Sequence, residues 1–197
     1  MRVCVFALAA LWLSRAAAPG VDLSKALGTP SAPITVEVFS DFECPACKAF
    51  HENVLPELMR DYVIPGKVFL ASFEFPLPMH QHSRQAANYA VAAARVGAYS
   101  PVADALFRGQ ESWSASGNVW GAVAAALTPA QQKRVQALAT DAGVLAQVQS
   151  EIGVGQRVPI TETPTILVIR GSRAIPIAGR LIRYESLKQL LDDLAKR

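Results

Sequence analysis

The chain has 197 residues, 51% hydrophobic and 18% charged, with a formal net charge of +3. That is enough apolar material for one domain with a proper core, or one domain carrying an elaboration. The near-balanced charge leaves no basic footprint for nucleic acid.

The first predicted element is an N-terminal export signal over residues 1–18. Met1 and Arg2 precede an almost wholly apolar run from Val3 to Leu13, and Ala16-Ala17-Ala18 supply small residues for cleavage. Cutting after Ala18 leaves Pro19 first, which a peptidase accepts poorly, so an earlier cut or retention as an anchor is also compatible with this stretch. The apolar run is well short of the ~20 residues that cross a bilayer, and no later segment reaches that length without a charge, Pro or Gly. An exported, soluble protein is expected. Loss of Arg2 and Arg15 with the signal would leave 17 basic residues against 16 acidic ones, a net charge of +1.

Residues 19–33 read as a lead-in segment punctuated by Gly, Pro and Ser. The β-branched run Ile34-Thr35-Val36-Glu37-Val38-Phe39 then predicts a strand. Cys44-Pro45-Ala46-Cys47 follows, and helical spacing runs from Pro45 to about Tyr62, with a kink or break at Pro56. Val68 to Phe75 predicts a second strand, ended by Pro76-Leu77-Pro78. An alanine-rich helix is expected from about His82 to Val96. Ser100-Pro101 and Thr128-Pro129 each offer a cap residue followed by Pro at the first helical position. Helices joined by short loops continue to about Gly153. Two short strands, Thr165 to Arg170 and Ala174 to Ile177, and an amphipathic helix from Tyr184 to Ala195 complete an order of β, α, β, helical block, β, β, α. No internal repeat interrupts it.

The chemistry concentrates in the cysteines. There are three, and Cys4 lies in the signal, where it reads as a passive apolar residue, so the exported chain carries one close pair. A bridge closing a loop of two intervening residues gains little chain entropy, and a domain this large needs no staple. A reactive pair is the better reading. Cys44 falls at the N-terminus of a helix, where unpaired N–H groups and the positive end of the helix dipole favour thiolate over thiol. Thiolate is the attacking form in disulfide exchange and also the better leaving group. Cys47, one turn on, is placed to resolve a mixed disulfide formed at Cys44.

Three signatures together resemble the DsbA-like branch of thioredoxin-fold thiol oxidoreductases, across about Ala32 to Lys196. They are Phe39-Ser40-Asp41-Phe42-Glu43-Cys44-Pro45-Ala46-Cys47, Phe75-Pro76-Leu77-Pro78-Met79-His80, and Thr163-Pro164-Thr165. The resemblance implies an α/β thioredoxin fold with a helical insertion between its two halves, at about residues 80–153 of a domain spanning 34–197. It implies Cys44 and Cys47 as catalytic residues and Pro45 and Ala46 as the active-site loop. It also implies that Pro164 is a cis proline beside the cysteines, with the Thr163 backbone pairing with extended substrate.

The residues that tune such a pair depart from the family pattern. Ala46 stands where DsbA-type oxidants often place a histidine, and Val38 where the family commonly carries a buried acid six residues before the first cysteine. Glu37, one place off, is expected on the opposite face as a solvated strand residue. Asp41 and Glu43 bring negative charge near the pair and Lys48 positive charge. His51, His80 and His82 lack a zinc-ligand spacing, so no metal and no cofactor are expected. Trp113, Trp120 and Phe107 are expected to pack among the inserted helices.

The sequence thus predicts an exported thiol-disulfide oxidoreductase of the bacterial cell envelope, periplasmic or otherwise outside the cytoplasm, that donates its Cys44–Cys47 disulfide to newly exported proteins. Its partners would be unfolded or partly folded proteins with cysteines, and a membrane protein that reoxidises the pair; a monomer is expected. A reductase or isomerase of the same fold is the second reading, since direction rests on redox potential. A non-catalytic metal- or peptide-binding module is the third.

Overall fold

The structure, a computed structural model, describes residues 21–158, 160–179 and 182–196. The predicted signal, with Cys4, lies outside these.

Five strands form one sheet in the order β1-β3-β2-β4-β5. The centre is β2 (Ile34–Ser40), which runs parallel to β3 (Val68–Glu74) and antiparallel to β4 (Thr165–Arg170). Its β-branched residues suit a strand with helices over both faces, where both sets of alternating side chains are buried. At one margin β5 (Arg173–Ala178) pairs antiparallel with β4 and contains Pro176, a residue that only an outer strand tolerates. At the other, β1 (Ala26–Leu27) pairs antiparallel with β3. This strand corrects the reading of residues 19–33 as a plain lead-in. A 3-10 turn at Leu23–Lys25, capped by Asp22, steers two residues onto the sheet, too short a run to show as strand periodicity.

One core fills the face bearing Ile34, Val36 and Val38, against α1 (Pro45–Asn53), α2 (Leu55–Leu58) and the C-terminal helix α9 (Tyr184–Ala195). The expected break falls at Val54 rather than at Pro56. Proline's ring excludes it from a helix interior, so Pro56 occupies the first turn of α2 and the chain bends before it. A π-helical turn, Met59–Val63, carries the chain to β3.

The opposite face meets the helices inserted between β3 and β4. These are α3 (Ser83–Ala94), α4 (Tyr99–Arg108), α5 (Gln110–Ser116), α6 (Val119–Ala125), α7 (Pro129–Leu138) and α8 (Ala142–Arg157). The alanines of α3 are buried nearly all round, and their small side chains let α4, α7 and α8 approach closely. Thr128 caps α7 in a capping box with Gln131, and Pro129 takes the first position. Ser100-Pro101 does not begin its helix: α4 starts at Tyr99 with Ala98 as the cap residue, placing both two positions further in than expected.

Glu37 requires a second correction. Alternation does turn it away from Val38, but the strand is central and helices cover both faces, so Glu37 is 7% exposed instead of solvated. Burial pushes its carboxyl up from the ordinary range.

Candidate active site

The parallel strands β2 and β3 end side by side, and the two loops that leave them build the site. Cys44 is the N-cap residue of α1, with Pro45 at the first helical position. Its carbonyl accepts from the backbone N–H groups of Cys47 at 3.1 Å and Lys48 at 3.2 Å. The cysteines are unbonded to each other and unequal in exposure: Cys44 is 8% exposed and Cys47 0%.

Their electrostatics diverge accordingly. The Cys44 thiol is lowered to about 5, foremost by a hydrogen bond from the Cys47 thiol to its sulfur, against an opposing effect of burial. The Thr163 side chain and the backbone N–H groups of Cys47 and Ala46 lower it further. Cys47 is pushed well above the ordinary thiol range, first by burial and then by the neighbouring Cys44 sulfur. At neutral pH these shifts favour a thiolate at Cys44 and a protonated thiol at Cys47.

Thr163 and Pro164 arrive from the start of β4, and the peptide bond between them is cis. The Cys44 Sγ–H donates to the Thr163 carbonyl oxygen at 3.2 Å. The Thr163 Oγ1 is buried and has no hydrogen-bond partner among the described residues. Cys44, Pro45, Ala46 and Pro164 line one cleft together with Ile182 and Tyr184. All six residues expected at the site are therefore brought together: Cys44, Pro45, Ala46, Cys47, Thr163 and Pro164.

Two residues outside that set hold the loop; the sequence marked Asp41 only as negative charge near the pair and Gln110 not at all. Asp41 is wholly buried. Its carboxylate accepts from the Glu43 N–H at 2.8 Å, the Leu77 N–H at 2.7 Å and His80 Nδ1 at 2.7 Å, while its own N–H points to the Cys47 sulfur at 3.4 Å. Burial pushes the Asp41 carboxyl upward, and these three donors work against it. The buried Gln110, at the start of α5, donates Nε2–H to the carbonyls of Phe42 at 2.7 Å and Cys44 at 3.0 Å. Asp41 and His80 both lie in the quoted signatures, and the adjacent ends of two parallel strands would have suggested the pairing. Nothing local marks Gln110, 66 residues from Cys44.

The remaining candidates have ordinary partners. Glu43 accepts from the His82 N–H at 2.7 Å, joining the same two loops a second time. Lys48 reaches exposed Glu111 at 3.4 Å, which diverts its charge from the pair. His51 meets Asp104 of α4 at 2.7 Å and packs on Phe107, whose ring also lies 4.9 Å from that of Phe42. Trp113 is buried and donates to the Leu106 carbonyl, and Trp120 packs on Tyr89. Among the described residues no three His, Cys, Asp or Glu side chains are grouped to hold a metal ion.

Comparison with known proteins sets this geometry in context. The family model described as thioredoxin matches residues 22–193. Disulfide bond formation protein D of Bacillus subtilis is 27% identical over 159 residues, 76% of this chain and 69% of that protein. Among solved structures, oxidised BdbD from Bacillus subtilis superposes with a TM-score of 0.73 at 23% identity, covering 90% of this chain and 94% of that one. Alpha-DsbA1 of Wolbachia pipientis gives 0.71 at 20% identity, covering 86% and 89%.

Proposed function

Because this chain belongs to the thioredoxin family and is a protein dithiol-disulfide oxidoreductase, we propose that its Cys44–Cys47 pair works as a disulfide donor to newly exported proteins. The observation that carries the direction is the Cys44 thiol at about 5. A sulfur held as thiolate stabilises the reduced pair and has no counterpart in the disulfide, so the equilibrium favours handing the disulfide on.

In the forward reaction a substrate thiolate attacks the Cys44 sulfur, the Cys44–Cys47 bond breaks, and Cys47 leaves with the electron pair and takes up a proton. A second substrate thiolate then attacks the substrate sulfur of the mixed disulfide. Cys44 departs as a stable thiolate, and the substrate keeps the new bond. The cleft beside Pro164 receives the substrate chain, and the Thr163 backbone supplies an edge for it to pair with.

Export is supported by the basic start, apolar run and small residues of positions 1–18, and by the need of a disulfide donor for an oxidising compartment. Among the described residues no helix is long and apolar enough to cross a membrane. A membrane partner that reoxidises the pair completes the cycle.

Equilibrating the purified protein with glutathione buffers and trapping the thiols tests the direction. DsbA-like and thioredoxin-like pairs differ by roughly 150 mV, or about 7 kcal/mol for two electrons. A potential near that of thioredoxin, about −270 mV, would overturn the donor reading.

A further inference from the structure

β2 stops at Ser40, and Asp41 opens the turn that leads into α1. An aspartate suits that place because its side chain can accept from the N–H two residues on, as it does from Glu43 at 2.8 Å. The Asp41 backbone then meets each cysteine in a different way. Its carbonyl accepts the Cys44 N–H at 3.1 Å, and its N–H is directed at the Cys47 sulfur at 3.4 Å.

The second bond matters because of where Cys47 lies. In a full exchange cycle its sulfur carries negative charge twice, once on parting from Cys44 and once on attacking it, and it is sealed from solvent throughout. An ion without water needs a fixed donor in its place. The Cys47 N–H is engaged by the Cys44 carbonyl. Among the described residues the Asp41 N–H is the only group outside the pair that hydrogen-bonds to this sulfur. It acts against the burial that holds the Cys47 thiol high.

This turn is clamped from a second loop. The Asp41 side chain is wholly buried, and its Oδ2 accepts from the Leu77 N–H at 2.7 Å and from His80 Nδ1 at 2.7 Å, both in the segment that leaves β3. Glu43 fastens the same two loops by accepting the His82 N–H at 2.7 Å. A serine would also close the local turn, but a carboxylate leaves a second oxygen to accept from elsewhere. Asp41 therefore uses every polar group it has, and the peptide plane carrying its N–H cannot turn away from Cys47 without breaking bonds to the other loop.

We propose that the Asp41 N–H is the group that stabilises the Cys47 thiolate, and that the Asp41 carboxylate and His80 are positioning residues that hold it on the sulfur. This rests on the thiol-exchange reading above. When the disulfide is passed on, a client thiolate bonds to the Cys44 sulfur, the Cys44–Cys47 bond breaks, and Cys47 receives the electron pair facing the Asp41 N–H before it takes up a proton from the medium. On closure Cys47 gives its proton to the medium and attacks the Cys44 sulfur of a mixed disulfide, the Cys44–Cys47 bond forms, and the other sulfur leaves with the electron pair. The imidazole never meets a reacting atom. It acts through the peptide that it pins.

Oxidised glutathione separates the two cysteines in one experiment. Reduced protein is mixed with it at neutral pH and quenched at intervals, and mass spectrometry follows the Cys44–glutathione adduct as it forms and as Cys47 closes it. Formation reports Cys44, and closure reports Cys47. His80→Ala removes the outer donor and should slow closure about 3-fold or more while formation stays within about 2-fold of native. Asp41→Asn trades one acceptor oxygen for an amide and should slow closure roughly 10-fold, the scale of one hydrogen bond to a charged group. His80→Asn sets an amide donor in the place of Nδ1 and should restore closure to within about 2-fold of native. Should one variant not fold, the others carry the rate comparison. A nuclear magnetic resonance readout needs no variant: the Asp41 amide proton of the reduced native protein should be protected from solvent exchange, and His80→Ala should lower that protection. Closure at the native rate in both His80→Ala and Asp41→Asn, equal slowing of formation and closure in His80→Ala, or an unprotected Asp41 amide in the native protein would overturn the assignment and leave thiol exchange intact. Failure of native Cys44 to form any adduct or disulfide would instead remove the thiol-exchange reading.

Discussion

The Cys44 thiol donates to the Thr163 carbonyl oxygen, tying the first turn of α1 to the residue that precedes β4. That contact exists only while the sulfur keeps its proton. Once Cys44 ionises, the carbonyl faces a negative sulfur, and the Thr163 hydroxyl, which has no hydrogen-bond partner among the described residues, is the group on that residue able to stabilise it. Thr163→Val removes the hydroxyl and keeps the carbonyl. The variant should raise the Cys44 pKa from about 5 by roughly one unit, on the scale of a single hydrogen bond to a charged group, and lower the redox potential. The pH dependence of Cys44 alkylation reads the first effect.

The same ionisation sets how the reduced protein responds to pH. Cys44 titrates lower in the folded protein, at about 5, than the ordinary thiol value of 9.0. A group depressed in this way stabilises the fold fully above the unfolded value and progressively less as pH falls toward the folded one. Urea unfolding of the reduced protein should therefore show this contribution growing between about pH 5 and pH 9, and Cys44→Ser should lose it.

Asymmetry of the pair predicts asymmetric variants. Cys47→Ser should accumulate mixed disulfides when mixed with an unfolded client that carries a disulfide: the Cys44 thiolate attacks it, one client sulfur leaves, and no Cys47 remains to resolve the adduct. Cys44→Ser should form none, since the surviving sulfur is sealed from solvent and holds its proton. Non-reducing gels separate the two outcomes, and equal trapping by both variants would reverse the assignment of roles.

Asp41→Ala removes one carboxylate and strands two backbone N–H groups and an imidazole at once. Breaking a buried arrangement of this kind costs about 3–5 kcal/mol. Denaturant titration should show a loss of that size. His80→Gln should cost less, because the imidazole is partly exposed and the two backbone donors keep their acceptor.

Gly155, in the last part of α8, lies against the sheet so closely that an added Cβ would sit 2.5 Å from a ring carbon of Phe75. Alanine ordinarily gains about 1 kcal/mol over glycine within a helix. Here overpacking, typically 1–3 kcal/mol, should outweigh that gain. A thermal melt of Gly155→Ala is expected to show net destabilisation.

What the sequence made legible was local or short in range. Cys44 and Cys47 sit one turn apart on a recognisable strand-to-helix junction, and Thr163-Pro164 has its own signature. The rest of the site and of the core depends on contacts between distant segments: Lys25 reaches Glu151 across 126 positions and Gln110 reaches Phe42 across 68. Charged residues with no periodic pattern read as solvated, and only the assembled fold shows the Lys25 ammonium paired with both Glu74 and Glu151 in the core. Glu37 misled for a related reason, since alternation assigns a face but not whether helices cover it. The strand at Ala26–Leu27 was too brief to leave any pattern.

Pro176 on β5 has a consequence for the company this protein keeps. In the proposed role of disulfide donor the protein would work among unfolded chains, whose extended segments seek any sheet margin with free donors and acceptors. Pro176 withholds a donor in the middle of one margin, and β1, only two residues long, offers little purchase at the other. The sheet is thus a poor template for lengthening by a client or by a second copy. In the proposed reaction an extended client is thereby left to the cleft beside Cys44.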